Sequence, residues 1–538
     1  MTLPKAGKRD GYLTTCVGAL AATPWLNFFS PAPSASVVGI LLSAVCLVLL
    51  IVLQRANNPD AQSAGGPGLP TSLAWGWLAA ALISSTMALA QFFGSADSGA
   101  PWVSASGGVA YANLRQRNQF ASLTAIGLAA LLYLTARVSL PRSTQSKGTT
   151  PVGHSLATAL ALALALAAAL LMAGNAASAS RTGLFEVLML CGLSICWRPS
   201  LSGLAKALML LAPALYLFSA WALPWLAGLA GVVAGDGSTA LSRLAAGDLP
   251  CSSRLTLWSN VLHLIGQRPW LGWGWGELDY AHYVTLYPGE RFCAILDNAH
   301  NLPLHLAVEL GVPVALMACL GMVVGVWRAR PWAERDAGRQ LGWAVLAVLG
   351  LHSLLEYPLW YGPFQMALLL SLWLLWRRTA AQNVYKPFFK QNRALALTGT
   401  ALSAIFVIAF IAYAAWDYWR IGQIYRPVQE RAVAYREDTL RKIAPSWLFA
   451  PQVRFAELTT TPLTPDNAAE QASSAAELLH FSPEPRVIER LIESLRLLGL
   501  HDRAAFHAQR YQAAFPENYR DCLAASESAA NDKAQRPP

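Results

Sequence analysis

Charged residues are scarce in this sequence. Asp, Glu, Lys and Arg together make up 13% of the 538 residues, against about 25% in ordinary soluble domains. Hydrophobic residues make up 55%, and the mean hydropathy is +0.37. This balance excludes an ordinary soluble protein and favours a chain that crosses a membrane several times.

Several motifs of known chemistry are also missing. The sequence contains no CxxC pair and no HExxH, which are spacings typical of zinc sites and thiol redox pairs. It also lacks a DxD carboxylate pair and a GxxxxGK[ST] phosphate loop. We therefore expect no bound metal, no cofactor and no nucleotide site. The net charge of +10 lies mostly in short loops between apolar segments, so we expect no nucleic-acid partner.

About eleven hydrophobic runs approach the roughly 20 residues that a spanning helix needs. They predict an all-α fold, a polytopic membrane helical bundle. The runs lie at roughly 11–29, 35–53, 73–93, 119–136, 155–174, 183–197, 204–224, 302–327, 340–355, 362–376 and 395–416.

Lys and Arg concentrate in alternate loops, such as 328–339 and 377–393. The positive-inside rule then places the N-terminus in the cytoplasm and the region after Trp416 outside. We divide the chain into a transmembrane domain, 1–416, with a large outer loop at about 225–300, and a soluble domain, 417–538. Short amphipathic segments broken by Ser-Pro, Gly and Pro predict a helical-hairpin, TPR-like fold for the soluble domain.

The outer loops before the soluble domain contain arginine but no lysine. Arginine's planar fork suits bidentate contact with phosphate oxygens. Arg181 stands in a very short outer loop, and its alternative role is a buried pair with Glu186. Arg254 lies near the start of an amphipathic helix that Ser252 or Ser253 would cap and that could lie on the membrane surface. Any one of these arginines could instead anchor a helix end at the lipid interface. The apolar stripe of this helix is Leu255, Trp258, Val261, Leu262 and Ile265.

The stretch "LDNAHNLPLHLAVELG" places polar residues at the head of an apolar segment, among them Asp297, His300 and Asn301. Polar groups at a membrane edge are costly unless they have partners or a function. A histidine takes up and releases protons near neutral pH. His300 could therefore act as a general base, bind a leaving phosphate as imidazolium, or simply lie solvated beside a helix cap. His305 and Glu309, four residues apart, could interact on one helical face.

Two cysteines share one outer loop, Cys251 and Cys293. They are candidates for a disulfide if that side of the membrane is oxidising, and two free thiols are the alternative.

Five segments together resemble the O-antigen ligase/polymerase superfamily, and most of all its PglL-type protein O-oligosaccharyltransferases. The segments are "NLRQRNQFAS" (113–122), "ASASRTG" (177–183), "SSRLTLWSNVLHLIGQRPWLGWGWGEL" (252–278), "DNAHNLPLHLAVELG" (297–311) and "HSLLEYPLWYG" (352–362). The resemblance implies a GT-C-like bundle in the bacterial inner membrane. It also implies transfer of a glycan from undecaprenyl pyrophosphate at the periplasmic face.

The resemblance further assigns roles to residues. His300 matches the family's essential histidine, and Arg181 and Arg254 match its essential arginines. The expected substrate contacts lie in the same motifs and are Arg115, Gln116, Asn118, Gln119, Trp258, Asn301, Glu356 and Tyr357.

The acceptor stays open at this point. The likeness of the motif sequences to PglL-type enzymes and the helical C-terminal domain favour Ser or Thr hydroxyls of periplasmic proteins, such as pilins. Related enzymes transfer to lipid A core sugar or to another glycan. A lipid-linked glycan transporter is a further alternative, but its path should carry polar groups at the bilayer midplane, and here they concentrate at one face.

Overall fold

The computed structural model describes residues 8–56, 68–95, 101–103, 108–137, 151–232, 239–240, 242–243, 250–376 and 393–522. Within these ranges every regular element is a helix, which confirms the predicted all-α class. Parts of the predicted outer loops 94–118 and 225–300 lie outside the described residues.

The described α-helices are numbered in chain order. They are α1 (Lys8–Ala22), α2 (Val37–Ala56), α3 (Leu69–Phe92), α4 (Arg117–Arg137), α5 (Pro151–Ala177), α6 (Arg181–Cys196), α7 (Gly203–Leu229), α8 (Arg254–Gln267), α9 (Leu278–Val284), α10 (Leu302–Leu310), α11 (Val312–Ala329), α12 (Ala337–Ser353), α13 (Gly362–Trp376), α14 (Arg393–Ile421), α15 (Thr439–Ile443), α16 (Ala450–Thr460), α17 (Ala468–Leu478), α18 (Pro485–Leu497) and α19 (His501–Ala514).

Seven described helices are long and apolar enough to cross a membrane. The segments are Val37–Arg55, Leu69–Phe92, Arg117–Arg137, Thr158–Ala177, Gly203–Leu229, Val312–Ala333 and Thr398–Ile421. Four other predicted runs form the shorter helices α1, α6, α12 and α13, of 15, 16, 17 and 15 residues. The count of eleven spans therefore stays a prediction.

The chain folds into two compact units, one of Met1–Ala246 with Val326–Tyr413 and one of Gly247–Gly325 with Ala414–Pro538. We call them the bundle unit and the loop unit. The second junction nearly coincides with the predicted boundary after residue 416. Residues 247–325 lie in one unit with the C-terminal region, and the predicted division after residue 416 stays a prediction.

Helix α4 is the centre of the bundle unit. It packs against α3, α5, α6, α7 and α12, and 94% of its apolar stretch is buried in the protein. Side chains at the start of α4 are therefore surrounded by other helices, and polar ones must find partners there because lipid and apolar side chains offer none.

The loop unit has two apolar cores. The first packs α8, α9 and α10 together through residues that include Leu257, Val261 and Val308. The second lies among α16–α19 and takes in Tyr283 from α9. The C-terminal helices follow the predicted amphipathic segments closely, with short connections between neighbours that contact each other.

Two expectations for this unit were wrong in detail. The run 302–327 is not one helix, because the chain breaks at Gly311, which has a positive φ of 89°. A side chain at Gly311 would collide with the Trp270 carbonyl, so glycine permits a close approach of two backbones there. The buried face of α8 is Leu257, Val261 and Leu264, whereas Leu255 and Leu262 of the predicted stripe are exposed.

Candidate functional site

The polar motif predicted at an outer loop surrounds the start of α4. Arg115 has left-handed backbone (φ 58°) after a short 3-10 turn, and its guanidinium donates to the Phe28 carbonyl at 3.2 Å. The Gln116 side chain accepts from the Gln119 N–H at 2.5 Å and thus caps the first turn of α4. The Gln119 side chain is buried. This motif therefore shapes the helix start and leaves one exposed arginine beside it.

Asn118 joins three segments of the bundle unit. Its Nδ2 donates to Glu356 Oε1 at 2.8 Å, and its Oδ1 accepts from Ser180 Oγ at 2.7 Å. Ser180 Oγ in turn accepts from the Gly183 N–H at 3.1 Å and caps α6. The structure thus brings together Asn118, Glu356 and the helix start that carries Arg181.

Tyr357 follows Glu356 in the turn before α13. Its ring stacks on that of Tyr361, with centroids 5.8 Å apart, and Trp360 approaches it edge-on at 6.5 Å. The turn therefore presents an aromatic group next to the Glu356 carboxylate.

One helical turn deeper lies a second polar group that the sequence analysis did not assemble. Ser122 Oγ donates to Glu186 Oε1 at 2.5 Å and also bonds His352 Nδ1 at 2.7 Å. Glu186 and His352 each stand out as an ionisable residue inside an apolar helix. The sequence does not show that both contact Ser122.

In the loop unit, His300 occupies a strained position. Its backbone is left-handed (φ 50°), an uncommon conformation for a residue with a side chain. The His300 N–H donates to Asn298 Oδ1 at 2.9 Å, and Asn301 Oδ1 accepts from the Leu304 N–H at 3.0 Å and caps α10. The local hydrogen bonds therefore fix the half-buried His300 at the head of α10.

Helix α8 supports that loop. Ser253 Oγ caps α8 by accepting from the Thr256 N–H at 3.1 Å, so Arg254 is its first residue. Trp258 Nε1 donates to the Ala299 carbonyl at 3.1 Å, directly before His300. The structure thus brings Trp258 together with the His300 loop. A serine cap precedes Arg254 at the start of the same helix.

Arg181 and Arg254 occupy equivalent local positions. Each is the first residue of a helix whose preceding serine accepts a hydrogen bond three residues later. The N-terminus of a helix carries partial positive charge and exposed N–H groups, which favour an anion. An arginine in that position adds a full positive charge, so both Ser-Arg helix starts suit phosphate oxygens.

Carboxyl groups lie near His300. Burial raises the pKa of the Asp297 carboxyl, and the neighbouring His300 opposes that increase. Burial raises the pKa of Asp279 to about 7, the Tyr280 N–H opposes it, and the Asp297 and Glu277 carboxylates add to it. Asp279 was not among the predicted site residues, and the fold brings it from α9 into the neighbourhood of Asp297.

The predicted contact between His305 and Glu309 is present in α10, with Nε2 and Oε2 3.5 Å apart. This short helix lies outside the candidate spans. Burial lowers the pKa of His305 to about 4. Burial likewise raises the pKa of Glu309 to about 7, against the N–H groups of Gly276 and Leu278. The two residues therefore form a buried polar contact in which the imidazole is neutral at pH 7.

Cys251 and Cys293 form a disulfide in the structure, and the Cys293 N–H donates to the Cys251 carbonyl at 3.1 Å. The bridge closes the segment that contains α8 and α9. Within that segment His282 is buried and bonds Tyr287 at 2.8 Å. Burial lowers the pKa of His282 to about 3, so it is a neutral structural residue.

The sequence matches two protein families. Residues 103–319 match the O-antigen ligase family, and this segment contains the predicted catalytic residues Arg181, Arg254 and His300. Residues 340–529 match the family of virulence factor membrane-bound polymerases, C-terminal region, and contain Glu356 and Tyr357. Each match covers less than half of the chain, which is similar to the O-antigen ligase superfamily over these segments. Its apolar helices accord with that similarity to membrane-bound proteins.

Two curated relatives in Acinetobacter baylyi are similar to parts of the chain. A protein named general O-oligosaccharyltransferase is 24% identical over 168 residues, which is 31% of this chain and 28% of the relative. A second, named ComP-specific O-oligosaccharyltransferase, is 26% identical over 113 residues, 21% of this chain and 20% of the relative. The chain therefore spans less than a third of the length of each relative, and within the superfamily it resembles the PglL-type oligosaccharyltransferases.

Proposed function

We propose that this protein transfers a glycan en bloc from an undecaprenyl-pyrophosphate carrier to Ser or Thr hydroxyls of periplasmic proteins, such as pilins. The observation that carries the proposal is the strained, half-buried His300 at the head of α10, within the segment that matches the O-antigen ligase family. Strained backbone at a chemically competent side chain is typical of functional sites.

The proposed reaction is a direct displacement. His300 takes the proton from the acceptor hydroxyl as general base, and the hydroxyl oxygen forms a bond to the anomeric carbon. The bond between that carbon and the phosphate oxygen breaks, and its electron pair leaves with the lipid pyrophosphate. Arg181 and Arg254, each at a capped helix start, stabilise the departing anion. The alternative role for His300 is to bind phosphate as imidazolium.

Asn118 and Glu356 are proposed to contact the donor near its glycan. Their side chains are already fixed by a hydrogen bond of 2.8 Å, so they offer a prearranged amide and carboxylate beside the helix start of Arg181. Arg115 is exposed and adds positive charge at the start of α4. Tyr357, Trp258 and Asn301 are the further proposed contacts.

A protein acceptor is supported by similarity to two relatives named O-oligosaccharyltransferases, one of them ComP-specific, and by the packed helices of the C-terminal region. Stacked helical hairpins form extended surfaces that hold polypeptide. Transfer to lipid A core is the second candidate, because residues 103–319 match the O-antigen ligase family. In either case we propose a location in the bacterial inner membrane with the reaction at the periplasmic face.

The test is reconstitution of the purified protein with undecaprenyl-pyrophosphate-linked glycan, offering a Ser-containing pilin peptide and lipid A core in parallel. Intact-mass measurement should show the peptide gaining the mass of the glycan without phosphate. His300→Ala should lose the product, whereas His263→Ala, a control on α8, should keep it. Transfer to lipid A core alone would establish the second candidate, and no transfer to either acceptor would contradict both.

A further inference from the structure

Three side chains form a buried polar cluster inside the bundle unit. Ser122 of α4, Glu186 of α6 and His352 of α12 are each fully buried. Ser122 Oγ lies 2.5 Å from Glu186 Oε1 and 2.7 Å from His352 Nδ1. The second Glu186 oxygen has no hydrogen-bond partner among the described residues. We call these three residues the inner triad.

The Ser122 hydroxyl has one hydrogen and two short contacts, so it can donate to only one of its two partners. The other partner must donate to the serine oxygen. If Ser122 donates to Glu186, His352 must donate from Nδ1 to the serine oxygen. If Ser122 donates to His352, Glu186 must be protonated and donate to the serine. The second arrangement pairs a carboxylic acid with a neutral imidazole. Shifting the proton of each bond toward His352 converts it into the first, with a carboxylate and an imidazolium and the same overall charge. Either one joins the three side chains by directional bonds.

A second set of polar contacts lies one turn toward the start of α4, and we call it the outer set. There Asn118 bonds Glu356 at 2.8 Å and Ser180 at 2.7 Å. The two layers use the same three parts of the chain. Asn118 precedes Ser122 by four residues, and Glu356 follows His352 by four, with its N–H donating to the His352 carbonyl at 2.7 Å. Four residues are about one helical turn.

The third connection is α6 itself. Ser180 caps this helix, Arg181 is its first residue, and Glu186 lies just over one turn further along. The inner triad therefore bonds together the same α4, α6 and α12 whose ends carry Asn118, Arg181 and Glu356. A shift or rotation of any of these helices would leave a buried polar group unsatisfied, which is unfavourable in an apolar interior.

Two other buried hydroxyls in the bundle bond a carbonyl within their own helix instead. Ser194 Oγ bonds the Leu190 carbonyl of its own helix at 2.8 Å, and Thr135 bonds the Leu131 carbonyl at 2.6 Å. A glutamate and a histidine in a dry interior are costly and are seldom retained for stability alone. The inner triad thus provides fixed relative placement of three helices, which apolar contacts between smooth helices specify less strictly.

We propose that Ser122, Glu186 and His352 are positioning residues that hold Asn118, Arg181 and Glu356 in register to bind the lipid-pyrophosphate donor. The inference rests on the proposed function for the identity of that donor. The inner triad touches no substrate in this account and acts only through the outer set and Arg181.

The test separates positioning from simple stability. A triple variant, Ser122→Ala/Glu186→Met/His352→Leu, replaces the inner triad with apolar groups, a change that often leaves stability equal or higher. Two conservative variants keep the bonds, since Glu186→Gln retains an acceptor and His352→Asn retains a donor near Nδ1. Ser194→Ala, which loses a buried hydroxyl of α6 outside the triad, is the matched control.

The measurements are the Kd for undecaprenyl-pyrophosphate-linked glycan in nanodiscs, KM and kcat for transfer, and Tm. The triple variant should raise Kd and KM at least tenfold with Tm within a few degrees of wild type. Glu186→Gln, His352→Asn and Ser194→Ala should stay within about threefold in Kd. Full donor binding by a folded triple variant would overturn the inference.

If the triple variant does not fold, Ser122→Ala alone decides. It should weaken donor binding by fivefold or more, while Ser194→Ala does not, and equal behaviour of the two would overturn the positioning role. If wild-type protein neither binds the donor nor transfers glycan, the proposed function fails and the inference fails with it. Active wild type with unaffected triad variants would overturn the inference alone.

Discussion

The same Ser-Arg helix start occurs in both units, but its surroundings differ. In the bundle unit, Ser180 and Arg181 are linked through Asn118 to side chains from two other parts of the chain. In the loop unit, Ser253 and Arg254 begin a helix that contacts the His300 loop through Trp258, whose Nε1 donates to the Ala299 carbonyl. The helix start of Arg181 is therefore held by side-chain hydrogen bonds between helices. The helix of Arg254 instead contacts a loop through a main-chain carbonyl, in a unit that contains a disulfide.

The difference follows from the surroundings of the polar side chains in each region. The interior of the bundle is apolar, so its buried polar side chains bond one another across helices. The caps and turns of the His300 loop join residues that are only two or three positions apart in the sequence. We therefore expect bundle substitutions to act jointly on several helices. Loop substitutions should act on His300 or on the stability of the loop unit.

The largest expected effect in the loop unit is loss of the His300 side chain. His300→Ala and His300→Gly should both lower kcat/KM for transfer at least 100-fold, as expected for loss of a general base. Since the position has φ 50°, glycine relieves strain that alanine keeps. Thermal unfolding should therefore show His300→Gly to be at least as stable as His300→Ala. Near-wild-type kcat/KM in either variant would remove His300 from the chemistry.

Breaking the disulfide should come next. The Cys251→Ser/Cys293→Ser double variant opens a segment with a sequence separation of 42 residues. Constraint of the unfolded chain predicts a loss of about 2–4 kcal/mol in unfolding free energy. The Tm of the loop unit should fall, and dithiothreitol should lower wild-type Tm similarly. Cys196→Ser, an exposed free cysteine in the bundle unit, is the control. A Tm insensitive to dithiothreitol would contradict a stabilising bridge.

Asp279→Asn tests the buried carboxyl near the His300 loop. Because the pKa of Asp279 is raised to about 7, its protonated form is favoured in the folded state. Its contribution to stability is full below about pH 4 and is lost as pH rises through 7. Asparagine cannot ionise, so Asp279→Asn should have a Tm a few degrees above wild type at pH 8 and equal at pH 4.

The neighbouring His282 has a pKa lowered to about 3. It shifts stability the opposite way, because its contribution is present above about pH 6.5 and is lost as pH falls toward 3. Both proteins contain His282, so the difference in Tm isolates Asp279. A difference in Tm that is constant between pH 4 and pH 8 would exclude the raised pKa.

The smallest expected effect is removal of the Trp258 hydrogen bond. Trp258→Phe keeps a ring but loses the donor to the Ala299 carbonyl, a bond worth about 1 kcal/mol. We expect kcat to fall about threefold to fivefold. Trp273→Phe is matched to it, because Trp273 Nε1 donates to the Leu264 carbonyl at 3.0 Å within the same unit. That variant should change Tm but not kcat, and equal kcat losses in the two would show that the His300 loop is not specifically supported.

Local features were predictable from the sequence. A serine cap before Arg254 and helices in the C-terminal region follow from capping and periodicity, and the structure has both. The apolar stripe of α8 was wrong at Leu255 and Leu262, which are exposed, because this helix has apolar residues on more than one face and tertiary packing selects among them. The break at Gly311 was also missed, since a glycine in an apolar run is compatible with a continuous helix.

Contacts between distant segments were beyond reach. Asn118 and Glu356 are separated by 238 residues and Ser122 and His352 by 230. Periodicity describes one helix at a time, so it cannot say which polar residues meet across a bundle. The motifs identified the residues of the outer set one by one. The contacts that join them through Asn118, and the contacts of the inner triad, are visible only in the folded structure.

The central claim is a direct displacement at the anomeric carbon by an acceptor hydroxyl. The most direct measurement is the anomeric configuration of the first sugar in the glycosylated peptide, determined by NMR and compared with that in the lipid-linked donor. A direct displacement gives inversion, with release of unsubstituted undecaprenyl pyrophosphate. Retention of configuration, or a product that still carries phosphate between sugar and peptide, would contradict it.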